Sequence, residues 1–232
     1  MELLRSIPAG GSLFNAFAIL LGGSIGLAAG RFVPERVQRS IFQCLGLFCL
    51  YLGLDMALKM QHVLPVLLSF VLGTAAGGLM NLDDRLNGLG NWLKAKLRIG
   101  SDTYTEGFVT ATLLFCIGSM SILGAIEDGV RNSPGLLVTK GVMDGISSIF
   151  LAASLGVGVL FSALPLLFYQ GALTFAAVWA QSAITPAILD NLSGLGGLMI
   201  MGIGLNLLRI TEIRTGNMLP GLILILLLSA LT

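Results

Sequence analysis

The chain has 232 residues, of which 55% are hydrophobic and only 11% charged, and its mean hydropathy is +0.92. A soluble domain carries about 25% charged residues, so this chain lacks the polar surface to face water and its solvent is lipid. Thirteen basic and twelve acidic residues leave a net charge of +1, too weak a field to hold a phosphate backbone, which excludes nucleic acid as a partner.

Residues 1–11 carry Glu2 and Arg5 but no charged region followed by an apolar stretch and a small-residue cleavage site, so the first hydrophobic segment is expected to stay as a membrane helix. A bilayer core of about 30 Å needs about 20 apolar helical residues. That length picks out spans at Ser12–Gly30, Ile41–Leu58, Val63–Met80, Gly107–Ile126, Thr139–Leu160, Phe161–Ile184, Leu192–Leu208 and Asn217–Thr232. The fold class is therefore an all-α polytopic membrane protein of about eight transmembrane helices. The fifth and sixth spans divide at Gly156–Pro165, where small residues and a proline suit a tight turn; seven spans is the alternative if that hairpin does not cross fully.

One sizeable connection, residues 81–106, sets Leu82, Leu86, Leu89, Leu93 and Leu97 at three- and four-residue spacing among Arg85, Lys94, Lys96 and Arg98. It reads as an amphipathic helix on the membrane surface or as an exposed tether. With eight spans, Arg31, Arg36, Arg39, Arg85, Lys94, Lys96, Arg98, Arg209 and Arg214 fall on one side of the membrane, and Arg5, Lys59, Arg131 and Lys140 on the other. The richer side is expected to be cytoplasmic, leaving both termini outside.

The chain also repeats itself. Gly46, Leu47, Gly53, Leu54 and Asp55 recur at the same spacing as Gly197, Leu198, Gly204, Leu205 and Asn206, and each set precedes a Leu-Pro pair, Leu64–Pro65 and Leu219–Pro220. Spans one to three (residues 12–80) thus match spans six to eight (residues 161–232), enclosing a central helix pair at 107–160 in a single membrane domain. A shift of five spans inverts the second copy. The basic residues move accordingly: Arg31, Arg36 and Arg39 flank the first loop of copy one, where copy two has only Asp190, while Lys59 in the next loop answers to Arg209 and Arg214. Inverted repeats of this kind build many secondary transporters, with the site near the bilayer midplane.

A charge inside the bilayer needs a partner, an aqueous cavity or a function. Lys140 and Asp144 stand four apart, on a helix face shared with Ser147 or Ser148, and Thr112, Cys116 and Ser119 form a second polar stripe on the fourth span. Two readings fit. Asp144 is a cation or proton site on a polar path between spans four and five, or Lys140 snorkels to the interface, Asp144 answers it, and the hydroxyls bond their own backbone. Asp55 and Asn206 match across the repeats near span ends, where helix-end roles compete with ligand roles. Asn15, Gln43, Gln170 and Gln181 are suited to hydrogen bonds between helices, and His62 to a solvated loop. Gly22, Gly26 and Gly30, like Ser69, Gly73 and Gly77, form small-residue faces for close helix packing.

Cys44, Cys49 and Cys116 lie in apolar runs without a CxxC pair, so packing rather than metal binding is expected. No Walker sequence, HExxH, Ser/His/Asp set or dinucleotide fingerprint is present; neither enzymatic activity nor a cofactor is expected.

Asn15–Ala16, Leu20 to Gly23, Phe115 to Gly124, Lys140 with Asp144, and Asn217 to Pro220 occur in an order that resembles the bacterial YdfK/YqgA-like membrane proteins, a domain of unknown function, over nearly the whole chain. The resemblance implies a bacterial inner-membrane location and points to Asn15, Asp128, Lys140, Asp144, Gln170 and Asn217, but not to Asp55 or Asn206. The leading expectation is a small-solute or ion transporter or channel without ATP hydrolysis. A membrane-embedded assembly or regulatory subunit is the alternative. Its expected partners are the lipid bilayer and a small solute or ion, with a homo-oligomer as a further option.

Overall fold

The computed structural model describes residues 7, 9–30, 34–117, 119–180 and 185–229, and every regular element among them is helical. The helices are α1 (Gly10–Gly30), α2 (Glu35–Ala57), α3 (Val63–Leu79), α4 (Leu82–Lys96), α5 (Tyr104–Cys116) and α6 (Ser119–Arg131). They continue with α7 (Gly135–Leu155), α8 (Gly158–Phe161), α9 (Ala163–Ala180) and α10 (Pro186–Leu207), then a 3₁₀ turn (Thr215–Met218) and α11 (Leu219–Ser229). The far ends of the sixth and eighth spans, residues 181–184 and 230–232, lie outside the described residues, as do Arg5, Arg31 and Gln181.

Four stretches are long and apolar enough to cross a membrane unaided: Gly10–Gly30, Gly135–Leu155, Gly158–Ala176 and Pro186–Leu207. Among the described residues, two bent pairs raise the number to as many as six if each pair is a single span. These are Val63–Leu79 with Leu82–Lys96, bent by 55°, and Tyr104–Cys116 with Met120–Arg131, bent by 60°. Gln43–Ala57 and Thr215–Leu228 are shorter apolar helices.

The boundaries follow local chemistry. Thr185 caps α10 by accepting the Ile188 N–H at 3.3 Å, with Pro186 at the first helical position. That start corrects the sequence expectation at Asp190, which stands inside the helix rather than in a loop. Pro134 precedes α7, which begins at Gly135, four residues before Thr139, and its carbonyl accepts the Val138 N–H at 2.8 Å. The division between the fifth and sixth spans falls where the small residues placed it, at Gly156, whose φ of +79° is open to glycine and strained for other residues. Two helices close on an arginine in the left-handed region. After α4, Arg98 N–H bonds Ala95 and Ile99 N–H bonds Lys94; after α10, Arg209 bonds Asn206 and Ile210 bonds Leu205. Both patterns satisfy carbonyls that a helix end leaves free.

The segment expected as a fourth span, Gly107–Ile126, is not the continuous helix that its hydropathy implies. It breaks between Cys116 and Met120, and that break organises the site described below.

The chain forms two compact units. The first comprises residues 1–41, 90–116 and 120–182, the second residues 42–89, 117–119 and 183–232. In the first, α1 runs parallel to α7 because glycines remove the side chains between them. A Cβ on Gly22 would lie 2.0 Å from the Gly145 carbonyl oxygen, and one on Gly26 2.1 Å from that of Ile149. In the second, α2 crosses α10 antiparallel through two glycine pairs, Gly46 with Gly204 and Gly53 with Gly197, while α3 packs antiparallel to α11 through Gly73 against Gly221 and Gly77 against Asn217. The small-residue faces thus serve packing.

Candidate functional site: a buried hydrogen-bond circuit

Where a helix stops in the buried interior, its last carbonyls have no intrahelical partner and no water to turn to. At the end of α5 the Phe115 carbonyl oxygen solves this by accepting two bonds, from Lys140 Nζ at 2.8 Å and from Ser121 Oγ at 3.3 Å. Both donors arrive because of helix geometry. Ser121 stands in the first turn of α6, just beyond the break, and Lys140 lies on the face of α7 that also carries Asp144 one turn on.

From these two donors the bonding closes on itself. Lys140 Nζ also donates to Asp144 Oδ2, forming a buried ion pair. Asn15 Nδ2 on α1 donates to the same carboxylate oxygen at 3.0 Å and to Gln170 Oε1 on α9 at 3.2 Å. Gln170 Nε2 in turn donates to Ser121 Oγ at 3.4 Å. The circuit therefore runs Phe115, Lys140, Asp144, Asn15, Gln170, Ser121 and back to Phe115. Asn15, Ser121 and Gln170 are fully shielded, and Lys140 and Asp144 retain only 7% and 9% exposure.

Close approach of α1 and α7 makes the Asn15–Asp144 bond possible, since Gly141 sits so near Asn15 that a Cβ there would be 3.0 Å from the Asn15 Cα. Ser148 reinforces the contact. Its hydroxyl lies 2.7 Å from the Gly145 carbonyl on its own helix and 3.2 Å from the Ile19 carbonyl on α1. Own-backbone bonding was one of the two sequence readings for these hydroxyls, and for Ser148 it describes half of the geometry.

The other sequence candidates lie elsewhere. Asp128 is buried and accepts the Gly11 N–H at 3.1 Å, a carboxylate at the first turn of α1, where the helix dipole favours it. Asn217 Oδ1 accepts the Asp83 N–H at 2.9 Å while Asp83 Oδ1 accepts the Gly216 N–H at 3.0 Å, a reciprocal clasp at the start of α4. Asp55 pairs with Lys59 at 2.7 Å, and with about half of each side chain exposed the pair belongs to a helix end. Asn206 holds the connection after α10, donating to the Ile213 carbonyl at 2.7 Å and accepting the Ile213 N–H at 2.8 Å. Ser147 is half-buried on α7, and the side chain of Ser119 lies outside the described residues.

Two residues that do structural or site work were not singled out from the sequence. Ser121 belongs to the run Gly118, Ser119, Met120, Ser121, and such a small polar cluster in mid-span is a sign of a broken helix. Asn191 is fully buried, and its Oδ1 accepts the backbone N–H groups of Gln61 and His62 at 3.0 and 2.9 Å, where α3 begins.

Several apolar helices of spanning length, with a charged circuit enclosed among them, define a multi-pass helical membrane protein. The chain belongs to the family described as "Protein of unknown function (DUF554)", whose model matches residues 10–230. Over 222 residues it is 34% identical to the "Uncharacterized membrane protein YdfK" of Bacillus subtilis (strain 168), covering 92% of this chain and 93% of that one. It is 29% identical over 225 residues to the "Uncharacterized protein YqgA" of Escherichia coli (strain K12), covering 95% and 96%. No solved structure matches the chain.

Proposed function

We propose that the protein is a secondary transporter or channel for a small solute or ion in the bacterial inner membrane, without enzymatic chemistry or ATP hydrolysis of its own, and that the Lys140–Asp144 circuit is its working centre. The observation that carries this reading is the placement of a charged pair on the broken end of a helix. An ion pair kept only for stability would gain as much from apolar residues of similar size. Broken helices whose ends meet polar side chains are the means by which transporters present backbone groups to a cargo or coupling ion.

The architecture we propose is eight spans with an inverted repeat. The two bent pairs and the two short apolar helices bring the four unaided spans to that number. Helix directions are consistent with it: α1 parallel to α7, α2 antiparallel to α10, and α3 antiparallel to α11 are what spans one and five, two and seven, and three and eight require. The glycine crossings also obey the repeat. Gly46 matches Gly197 and Gly53 matches Gly204 in sequence, and the contacts join Gly46 to Gly204 and Gly53 to Gly197, so exchanging the two copies turns one contact into the other. In this arrangement both termini are outside and residues 81–106 face the cytoplasm.

Reconstitution into liposomes tests the reading. Vesicles with a trapped pH-sensitive dye are challenged with gradients of Na⁺, K⁺, phosphate and neutral amino acids. At least one gradient should move protons or solute through the wild type and fail to do so through Asp144→Asn. If the variant supports wild-type flux, the circuit is structural and a membrane-embedded assembly subunit becomes the better reading.

A further inference from the structure

We infer that the C-terminal end of α4 is a docking surface for anionic phospholipid, with Trp92 and Leu97 entering the headgroup layer while Lys96 and Arg98 hold lipid phosphate. The inference rests on the membrane topology proposed above and not on transport, so the two stand or fall separately.

The first argument is placement. Helix α4 follows α3 after residues 80–81 and precedes α5 after residues 97–103. Two residues reach about 7 Å at most, so a helix tethered this closely to an apolar neighbour stays at the bilayer surface. One side of α4 meets α5: a Cβ on Gly90 would lie 3.0 Å from Thr105 Cγ2, and Thr105 Oγ1 donates to Asn91 Oδ1 at 2.7 Å. Trp92, Ala95 and Lys96, at three- and four-residue spacing, take the outer side and are exposed.

The second argument is charge. Residues 85–101 hold Arg85, Lys94, Lys96 and Arg98 and no acidic residue. Lys94 approaches Asp102 at 3.9 Å, but Lys96 and Arg98 make no ion pair among the described residues. A helix end attracts cations through its dipole, yet the closing carbonyls of α4 are already met by backbone, since the Arg98 N–H bonds Ala95 and the Ile99 N–H bonds Lys94. The third argument is apolar exposure beside those cations. Trp92 is 54% exposed and Leu97 46%, and Lys96 Nζ lies 4.6 Å from the centre of the Trp92 ring. An indole next to free cations suits the headgroup layer, where amphipathic rings settle and basic side chains meet phosphate. A free phosphate ion would satisfy the cations and leave Trp92 and Leu97 in water, whereas an anionic bilayer takes both.

The test uses the full chain in phosphatidylcholine vesicles that contain a small fraction of lipid brominated high on its acyl chains, with either a phosphatidylglycerol or a phosphatidylcholine headgroup. Bromine quenches tryptophan on contact, and subtracting the Trp92→Phe protein removes the signal of Trp179, the other tryptophan. Brominated phosphatidylglycerol should quench Trp92 at about one-fifth, or less, of the mole fraction that brominated phosphatidylcholine needs, because one cation near an anionic surface is worth about fivefold. That preference should shrink as NaCl is raised and be lost in the double variant Lys96→Gln/Arg98→Gln. Sodium phosphate should lower it no more than NaCl of equal ionic strength does. Equal quenching by the two lipids, quenching by neither, a preference that survives the salt or the double substitution, or displacement by phosphate beyond the ionic-strength control would each overturn the inference. The salt titration needs no change at Lys96 or Arg98, so it decides even if the double variant misfolds. None of these outcomes alters the Asp144→Asn flux, which tests transport by itself.

Discussion

Asn15 donates a 3.2 Å hydrogen bond to Gln170, 155 residues further along the chain, and this bond joins the charged half of the buried circuit to the uncharged half. Through it the Lys140–Asp144 pair is tied to Ser121 and so to the broken end of α5. A ring of this kind holds each polar group in one orientation, and loss of any member leaves two neighbours with an unmet bond.

The ion pair should be worth far more when broken than when removed. Lys140→Met and Asp144→Asn each leave one bare buried charge, and either alone is expected to lower stability by about 3 to 5 kcal/mol. The double variant should recover much of that loss. Thermal melts of the three proteins in one detergent decide it; additive losses would show that the two residues do not act as a pair.

For the uncharged side of the ring, Asn15→Ala and Gln170→Ala should couple. Interhelical hydrogen bonds in membranes average about 0.6 kcal/mol and reach about 1.7 kcal/mol in double-mutant cycles, and a coupling in that range is expected here. A cycle that closes at zero would remove the direct bond from the account.

Steric tests bear on the glycine crossing. A Cβ on Gly53 would lie 2.6 Å from the Gly197 carbonyl oxygen and one on Gly197 2.4 Å from that of Gly53, so Gly53→Leu or Gly197→Leu must force α2 and α10 apart. Overpacking costs about 1 to 3 kcal/mol, and each variant should lose at least that in a denaturation series. Gly88, with nothing within 4 Å of an added Cβ, is the control and should tolerate alanine.

Asn217 and Asp83 are expected to behave as a single clasp. Each side chain accepts a backbone N–H from the other's segment, so Asn217→Ala should cost about 1 kcal/mol, as the loss of a helix cap does. Asp83→Ala should cost about the same, and the double variant less than the sum. Full additivity, measured by melting temperature, would mean that the two caps are independent.

Topology is testable without purification. Single cysteines placed between residues 81 and 106 should be protected from an impermeant maleimide added to intact cells, and a periplasm-dependent reporter fused at Thr232 should be active. The reverse pattern would invert the orientation proposed from the basic residues.

What was legible in the sequence was local. Lys140 and Asp144 are four apart, and a helix must bring them together; Gly156 was visible as a turn, and Gly22, Gly26 and Gly30 as a packing face. The break after Cys116 was hidden because hydropathy averages across it, Leu113 to Cys116 before it and Ile122 to Ile126 after it both being apolar. Ser121 then went unnoticed, since its importance comes from a carbonyl freed by that break. The bonds of Asn15 to Asp144 and Gln170 span 129 and 155 residues, and no spacing rule encodes which distant partners a polar side chain will meet. Asp190 was misplaced because a span start was read from apolar onset, whereas Thr185 and Pro186 begin the helix earlier.

The division of the chain into two units constrains how it can be made. The first unit needs α1 together with α7 and α9, and the second needs α2 and α3 together with α10 and α11. Neither can be completed while only the first half of the polypeptide has left the ribosome. Asn15 enters the bilayer 129 residues ahead of the carboxylate it will bind, so α1 must wait beside lipid or an insertion partner with its amide unsatisfied. Biogenesis is therefore a late, nearly concerted event set by synthesis of the C-terminal third, and a truncated chain would leave two unfinished bodies instead of one finished half.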